Sequence, residues 1–317
     1  MGTSWSVRLV DREHSDSDRQ QTWQRQIQTQ LDTVVAQMSH WRDDSNLGQF
    51  NRAPAGSWHV LPDAFFDVLT YALRVAADTD GAYDPAAGAL INIWGFGPAE
   101  RHDQPGFKLP DTQSIAAAQA ASGWQRLLIE TDTRRIWQPG GLLLDLSAVA
   151  KGYGVDSVVR YLESQGIANY LVEVGGELRG AGVKPDQLPW WVALESPTAA
   201  EPEQHVCASN LPETIVALHG LSIATSGDYR RVFEIGGTKF SHSIDPRSGY
   251  PIRNDIASVT VLHTSCMEAD ALSTALTVLG VDDGMSFAEQ HRLAARFLVR
   301  TGTGFTERAS SAFMAML

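Results

Sequence analysis

Two segments of this 317-residue chain carry residue types and spacings able to do chemistry: Asp145-Leu-Ser-Ala-Val-Ala-Lys-Gly-Tyr153 and Glu268-Ala-Asp-Ala-Leu-Ser-Thr274. In the second, Asp270 and Thr274 stand four residues apart in a stretch with helical patterning, hence on one face. A carboxylate and a hydroxyl so placed suit a hard cation, which takes oxygen ligands. On these residues alone the plainer reading is favoured, an acid in the first turn of its helix that offsets the macrodipole. In the first segment, Asp145 ends the aliphatic run Gly141-Leu-Leu-Leu, read as a buried strand, and strand ends are where ligand-binding loops gather. The small residues after it and Lys151 equip the segment for phosphate contact, although it is not a Walker loop. Together the two segments outline a metal and diphosphate site.

Other groups are more ambiguous. His242, in Ser241-His-Ser-Ile-Asp-Pro-Arg-Ser-Gly249, titrates near neutrality and is the best candidate proton carrier. A lone histidine is more often structural, however, and Asp245-Pro246 with Gly249 is also a turn signal. Gly175-Gly176 allows either close approach of a ring or phosphate or a tight turn. The chain has no nucleophile elbow, no HExxH and no GxGxxG opening a helix.

The elements that must position these groups follow from periodicity. A strand-like N-terminus precedes an N-cap at Ser15 to Ser17. Trp23, Ile27, Leu31, Val34, Val35 and Met38 then recur at helical spacing. Residues 39–52 read as a long polar loop, and a helix is expected from Pro62 to Asp78. The Gly- and aromatic-rich segments 81–88 and 91–98 read as packed loop. Residues 99–110 read as an exposed insertion, and 111–122 as a short helix before Gly123. Strands are expected at 126–130, 135–138 and 141–145, then a helix over 155–165. Further strands are expected at 169–174, 190–195 and 214–219, with 197–211 as loop. A hairpin turns at Gly236-Gly237, a strand spans 258–263, and a helix runs from 267 to Gly280. Helix 284–292 and strand 295–300 leave a Ser-rich tail that reads as peripheral. Helices and strands mix without strict alternation, which favours α+β over a doubly wound sheet.

Composition bounds the function classes. A chain of this length favours two lobes over one core, and 43% hydrophobic with 20% charged residues describes a globular protein. A formal net charge of −12 with no basic stripe argues against a nucleic-acid partner. Cys207 and Cys266 form no CxxC and no zinc spacing. No apolar run approaches a membrane span, and the N-terminus lacks the charged and apolar regions of a signal peptide. It enters directly into strand-like alternation, so an upstream leader is expected to have been removed.

Taken in order, these pieces resemble the ApbE family, the bacterial FAD:protein FMN transferases. The matching segments are Met1-Gly-Thr3, Ser45-Asn-Leu-Gly-Gln-Phe-Asn51, Gly81-Ala-Tyr-Asp84 with Asn92-Ile-Trp-Gly-Phe-Gly97, and Asp145 to Tyr153. Val174-Gly-Gly176, Ser226-Gly-Asp-Tyr-Arg230, Ser241-His-Ser-Ile-Asp-Pro246 and Ala269-Asp-Ala-Leu-Ser-Thr274 complete the set. Each is weak alone; the ordered set is specific and spans the chain. The resemblance implies an α+β T-fold architecture, residues 1–317 forming one catalytic unit of two interleaved lobes with the FAD cleft between them. It implies Mg²⁺-assisted cleavage of the FAD diphosphate, FMN passing to a threonine of a target flavoprotein, a redox-complex subunit, with release of AMP. Asp270, Thr274 and the Ala148 carbonyl look like the metal ligands. Met1, Trp41, Ala82, Tyr83, Asp84, Asp145, Lys151 and His242 look like the flavin and nucleotide contacts. Either His242 or Asp270 is implied as the base. Alanines at positions 148 and 150 depart from many relatives, so only a carbonyl at Ala148 is available to a metal. Several family members hydrolyse FAD to FMN and AMP, but an aromatic Trp41 resembles the transferases. Relatives typically work outside the cytoplasm, so a periplasmic location or an upstream lipid anchor in the inner membrane is expected, with a cytoplasmic location as the alternative.

Overall fold

The structure, a computed structural model, describes residues 3–11, 17–99, 101–195, 213–228, 232–302 and 304–316. In chain order, β1 (Trp5–Leu9) leads to α1 (Ser17–Met38) and the short α2 (Asn46–Asn51). Next come β2 (Ser57–Val60), α3 (Asp63–Asp78), α4 (Gly88–Ile93), α5 (Thr112–Ala121), β3 (Ile129–Glu130) and β4 (Arg135–Gln138). Then α6 (Ala150–Ser164) opens a run of strands: β5 (Tyr170–Val174), β6 (Glu177–Ala181), β7 (Trp190–Ala193), β8 (Ile215–Leu218) and β9 (Leu221–Gly227). Two hairpins follow, β10 (Val232–Ile235) with β11 (Thr238–Ser241) and β12 (Ile244–Asp245) with β13 (Tyr250–Pro251), then β14 (Ile256–His263). The chain closes through α7 (Cys266–Leu279), α8 (Val281–Gln290), β15 (Ala294–Thr301), β16 (Gly304–Ala309) and α9 (Ser311–Met314).

These elements form two compact units, each assembled from separated stretches of chain. One comprises Met1–Asp32, Lys151–Tyr229 and Asn254–Leu317, the other Thr33–Ala150 and Arg230–Arg253. The first is built on a seven-stranded sheet in the order β1-β5-β6-β9-β14-β15-β16, with every neighbouring pair antiparallel. The mixture of an antiparallel sheet with helices gathered on it is the α+β class expected from the sequence. Trp23, Ile27 and Leu31 of α1 meet Val155, Val158, Val159 and Leu162 of α6 over Tyr170, Val172 and Val174 of β5. Beside them α7 is buried on nearly every side, with Ala269, Ala271, Ala275 and Leu276 at 0% exposure. Its small side chains let its backbone lie close to the sheet. A second cluster joins the β7–β8 hairpin through Trp190, Val216 and Leu218 to Ile223, Leu262, Ala294 and Phe313. In the other unit Leu90, Trp94, Ile115, Ala118, Phe240 and Ile244 form a core, with the Trp94 indole N–H donating to the Gly249 carbonyl at 2.9 Å.

Several expectations are corrected. The stretch 39–52 is not all loop: Ser45 caps α2 by accepting from the Gly48 N–H, and Leu47 and Phe50 are fully buried. A helix, α4, occupies part of the glycine-rich segment read as loop. Helix α6 begins at Ala150 rather than Val155, drawing Lys151 and Gly152 into its first turn. β6 and β9, unforeseen because glycines flank or end them, are central strands. Residues 126–130 hold a 3₁₀ turn ending at Arg126 and a strand of only two residues. The tail is not peripheral, since β16 completes the sheet and Ser310 and Phe313 are buried. The expected hairpin is confirmed: Ile235 pairs with Thr238 across Gly236 and Gly237, both at positive φ, the geometry of a two-residue turn. Met1, Cys207, the 197–211 loop, and Tyr229 with Arg230 lie outside the described residues. Among those described, no helix is long and apolar enough to cross a membrane.

The run 141–145 joins no sheet, so its backbone hydrogen bonds must go elsewhere. Asn51 supplies two of them. Its amide nitrogen donates to the Leu144 carbonyl at 2.9 Å and its oxygen accepts from the Leu144 N–H at 2.8 Å. The Gln138 amide accepts from the Leu142 N–H and donates to the Leu142 carbonyl, at 3.3 and 3.1 Å. Asn51→Ala should therefore strand two buried backbone groups and cost about 2–4 kcal/mol in urea unfolding. A loss below about 0.5 kcal/mol would show that Asn51 does not anchor this segment.

Candidate active site

Helices α6 and α7 meet through a pair of carboxylates, each serving the other helix. The first amides of a helix have no acceptor within it. In α6 the Gly152 N–H, two residues past the start, donates to Asp270 Oδ2 on α7 at 2.9 Å. In return Asp156 on α6 accepts from the Cys266 and Met267 N–H groups of α7 at 3.1 and 3.0 Å, and from the Ser265 hydroxyl at 2.9 Å. Ser265 itself accepts from the Glu268 N–H, so each of the first three amides of α7 has a partner. Both acids stand where helix dipoles favour negative charge. Asp270 is the fifth residue of α7 and not a first-turn acid of its own helix; the dipole it meets belongs to α6. The approach needs a glycine: a Cβ at Gly152 would lie 2.2 Å from the Cys266 carbonyl oxygen and 2.8 Å from Asp270 Cβ.

Lys151, beside Gly152, reaches two acids. Its ammonium donates to Glu177 Oε1 of β6 and lies 3.8 Å from Asp270 Oδ1. Glu177 is 2% exposed, and its second oxygen is buried without a hydrogen-bond partner. Burial, then the charge of Asp270, pushes the Glu177 carboxyl up to about 7. Burial likewise raises Asp270, against the pull of Lys151 and the Gly152 N–H. Burial alone would lower Lys151, but Asp270 and Glu177 outweigh it and hold the ammonium above its usual range. Thr274, half-buried, follows Asp270 by one helical turn on the same face. Among the described residues no three His, Cys, Asp or Glu gather as a metal cluster.

In the other unit, Asp145 Oδ1 accepts from the Ser147 N–H at 2.7 Å, and Oδ2 lies 3.6 Å from His40 Nε2. The Asp145 N–H donates to the Pro85 carbonyl, tying this turn to the Ala82-Tyr-Asp84 segment. Ala148 is half-buried in the turn leading into α6. Asp84 accepts from the Ala86 and Trp124 N–H groups at 2.7 and 3.0 Å, and burial raises its carboxyl to about 6. Trp41 is 51% exposed, with His40 against one side and the Arg101 guanidinium 5.8 Å from its ring centre. Ala82 and Tyr83 are buried, so Trp41 offers the open aromatic surface of the three. His242 is half-buried with its ring edge-on to Phe96.

The structure thus joins Lys151 and Gly152 to Asp270 in one unit, and Asp145 to the 82–87 segment in the other. Glu177, Asp156 and His40 escaped the sequence reading. Glu177 follows a Gly-Gly turn read only for its backbone, and Asp156 sits in an ordinary helical pattern. His40 gave a faint signal as the neighbour of Trp41.

Known proteins resemble this chain along its length. A family model described as the ApbE family matches residues 1–297. The FAD:protein FMN transferase of Vibrio cholerae is 40% identical over 317 residues, covering 100% of this chain and 90% of that protein. The apo crystal structure of Pseudomonas stutzeri flavinyl transferase ApbE matches with a TM-score of 0.88 at 37% identity, covering 100% of this chain and 94% of that one. The flavin transferase ApbE from Vibrio cholerae gives 0.87 at 38% identity, with 100% and 96% covered.

Two outcomes follow from this geometry. Alanine in place of Gly152 would gain about 1 kcal/mol of helix propensity, but the overlap with backbone should reverse the sign. Gly152→Ala should lose about 1–3 kcal/mol net in chemical denaturation, and a gain would contradict the close approach. For Asp84, the unfolded chain releases the proton near pH 4 and the folded protein only near pH 6. Stability therefore falls as pH rises through that window, by about 2 kcal/mol after allowing for the partly wet carboxyl. Denaturation midpoints against pH should show this slope, and Asp84→Asn should flatten it.

Proposed function

The chain belongs to the ApbE family and is a transferase, and on that premise we propose that it moves FMN from FAD to a threonine of a target flavoprotein, with Mg²⁺ and with release of AMP. The observation that carries this reading is the state of Asp270. It is 3% exposed, one oxygen bound to the Gly152 N–H and the other turned to Lys151, with Thr274 one turn further along. The surroundings suit a hard cation. Two carboxylates oppose one ammonium, a buried Glu177 oxygen lacks a partner, and the donors are oxygens with no thiolate or imidazole among them. Asp270 and Thr274 would hold the ion, with the Ala148 carbonyl as the third ligand implied by the family resemblance, leaving positions for water and phosphate oxygens. When bound, Mg²⁺ would neutralise charge on the diphosphate and orient it for in-line displacement.

The chain's own groups supply the rest. The acceptor threonine oxygen attacks the phosphorus of the FMN half, and the bond from that phosphorus to the oxygen of the AMP phosphate breaks. AMP departs with the bridging oxygen, and the threonine proton must pass to a base. Asp270 has its oxygens committed to Gly152 and to the cation, which argues for His242 as that base. The Lys151 ammonium, held in its charged form, offers the diphosphate a cation. The Trp41 ring offers a stacking surface to flavin or adenine. Met1, Ala82, Tyr83, Asp84 and Asp145 keep the nucleotide contacts implied by the family resemblance. A redox-complex subunit as acceptor and a site of action facing the periplasm are proposed on the same ground.

Incubation with FAD, Mg²⁺ and an acceptor domain should yield a covalently fluorescent band with one AMP released per label. A Thr→Ala acceptor should stay dark. Equal labelling of that acceptor, or AMP release at the same rate without any acceptor, would overturn transfer; the latter would favour hydrolysis. Asp270→Asn retains an oxygen for the Gly152 N–H and should lower labelling on the order of 100-fold.

A further inference from the structure

Lys151 treats its two acids unequally. It hydrogen-bonds to Glu177, whereas Asp270 Oδ1 stays 3.8 Å away. Among the described residues these are its only ion-pair partners. Asp270 Oδ2 is taken by the Gly152 N–H, so Oδ1 is the oxygen that an ammonium and a cation would both claim. Lys151 is fixed at the start of α6, next to the glycine that bonds Asp270, and cannot move far from this contest. Glu177 comes from a different element, β6, where the strand alternation turns it with Arg179 toward the helix side of the sheet. Glu177 is buried, and its one side-chain hydrogen bond among the described residues goes to Lys151.

We propose that Glu177 is a positioning residue that holds the Lys151 ammonium away from Asp270 and so keeps Asp270 Oδ1 open to a divalent cation. The inference rests on the reading of Asp270 as a metal ligand. Without the Glu177 carboxylate, the nearest acid left to Lys151 is Asp270. An ammonium seated on that oxygen excludes a metal ion by charge and by contact. Glu177 also adds negative charge, which would favour a cation wherever Lys151 sat. The two effects differ in one respect: only displacement of Lys151 makes the loss depend on the lysine.

The test is a double-mutant cycle read by direct binding of Mn²⁺ to the full chain without FAD, using the paramagnetic resonance signal of free Mn²⁺. Glu177→Gln should weaken Mn²⁺ binding about 10-fold. Lys151→Met should change it less than about 3-fold in the parent and recover most of the loss in the Glu177→Gln background. In turnover the apparent KM for Mg²⁺ should rise in Glu177→Gln while kcat at saturating Mg²⁺ moves less. If Glu177→Gln does not fold, Glu177→Asp, which withdraws the carboxylate by one methylene, should show a smaller loss in the same direction. Unchanged Mn²⁺ affinity in Glu177→Gln, or an equal effect of Lys151→Met in both backgrounds, overturns the proposal. Asp270→Asn separates the two levels. If it abolishes binding while Glu177→Gln does not weaken it, the ligand reading stands and this inference falls. If the parent and Asp270→Asn bind alike, both fall.

Discussion

A backbone amide at the start of α6 reaches across to a carboxylate in the second turn of α7, and much of the first unit is arranged around that contact. The amide is the Gly152 N–H and the carboxylate is Asp270. The contact is possible because no side chain stands between Gly152 and the Cys266 carbonyl. Asp156 returns the favour to the first amides of α7. Amides at both helix starts are thereby bonded to side chains of the neighbouring helix, and the two acids gain from dipoles that are not their own. A buried carboxylate is costly unless it is well bonded. Here the bonding is what fixes its direction.

That arrangement links the stability of the fold to the chemistry proposed for it. One oxygen of Asp270 is a structural anchor, and the other faces the ammonium of Lys151. The acids outnumber the ammonium in a buried setting; burial raises the carboxyl groups of both Glu177 and Asp270, and the charge of Asp270 adds to the rise at Glu177. A divalent ion would relieve this excess of negative charge. The same imbalance makes the partner chosen by Lys151 a question of function as well as of packing. In the second unit, a comparable economy holds the 141–145 run: Asn51 and Gln138 replace the strand neighbours it lacks. The Asp145 turn is positioned without a sheet to carry it.

Much of this was legible in the residues, and for identifiable reasons. The long amphipathic helices and the Gly236-Gly237 hairpin followed from periodicity and turn chemistry. Asp270 and the Lys151 segment were marked by residue type, although the plainer reading of Asp270 assigned it to the dipole of its own helix. The ordered motifs pointed to the ApbE family where no single motif could. The misses share a cause. Aliphatic residues at 141–145 look like a strand, yet pairing is a matter of neighbours, and their backbone partners are side-chain amides distant in sequence. Glu177 looked like an ordinary strand acid after two glycines; its importance comes from the lysine that another element brings to it. β6 and β9 were hidden by flanking or terminal glycines, and the tail by its serines, one of which is the buried cap Ser310.

The central claim is that Asp270 is oriented by Gly152 so that its remaining oxygen, with Thr274, serves a divalent ion. Anomalous diffraction from crystals soaked in Mn²⁺ tests it most directly. One strong peak is expected at roughly 2.0–2.2 Å from Asp270 Oδ1 and the Thr274 hydroxyl oxygen, with the Gly152 N–H still bonded to Oδ2. A peak bound instead to Glu177, with Lys151 moved onto Asp270, would contradict it.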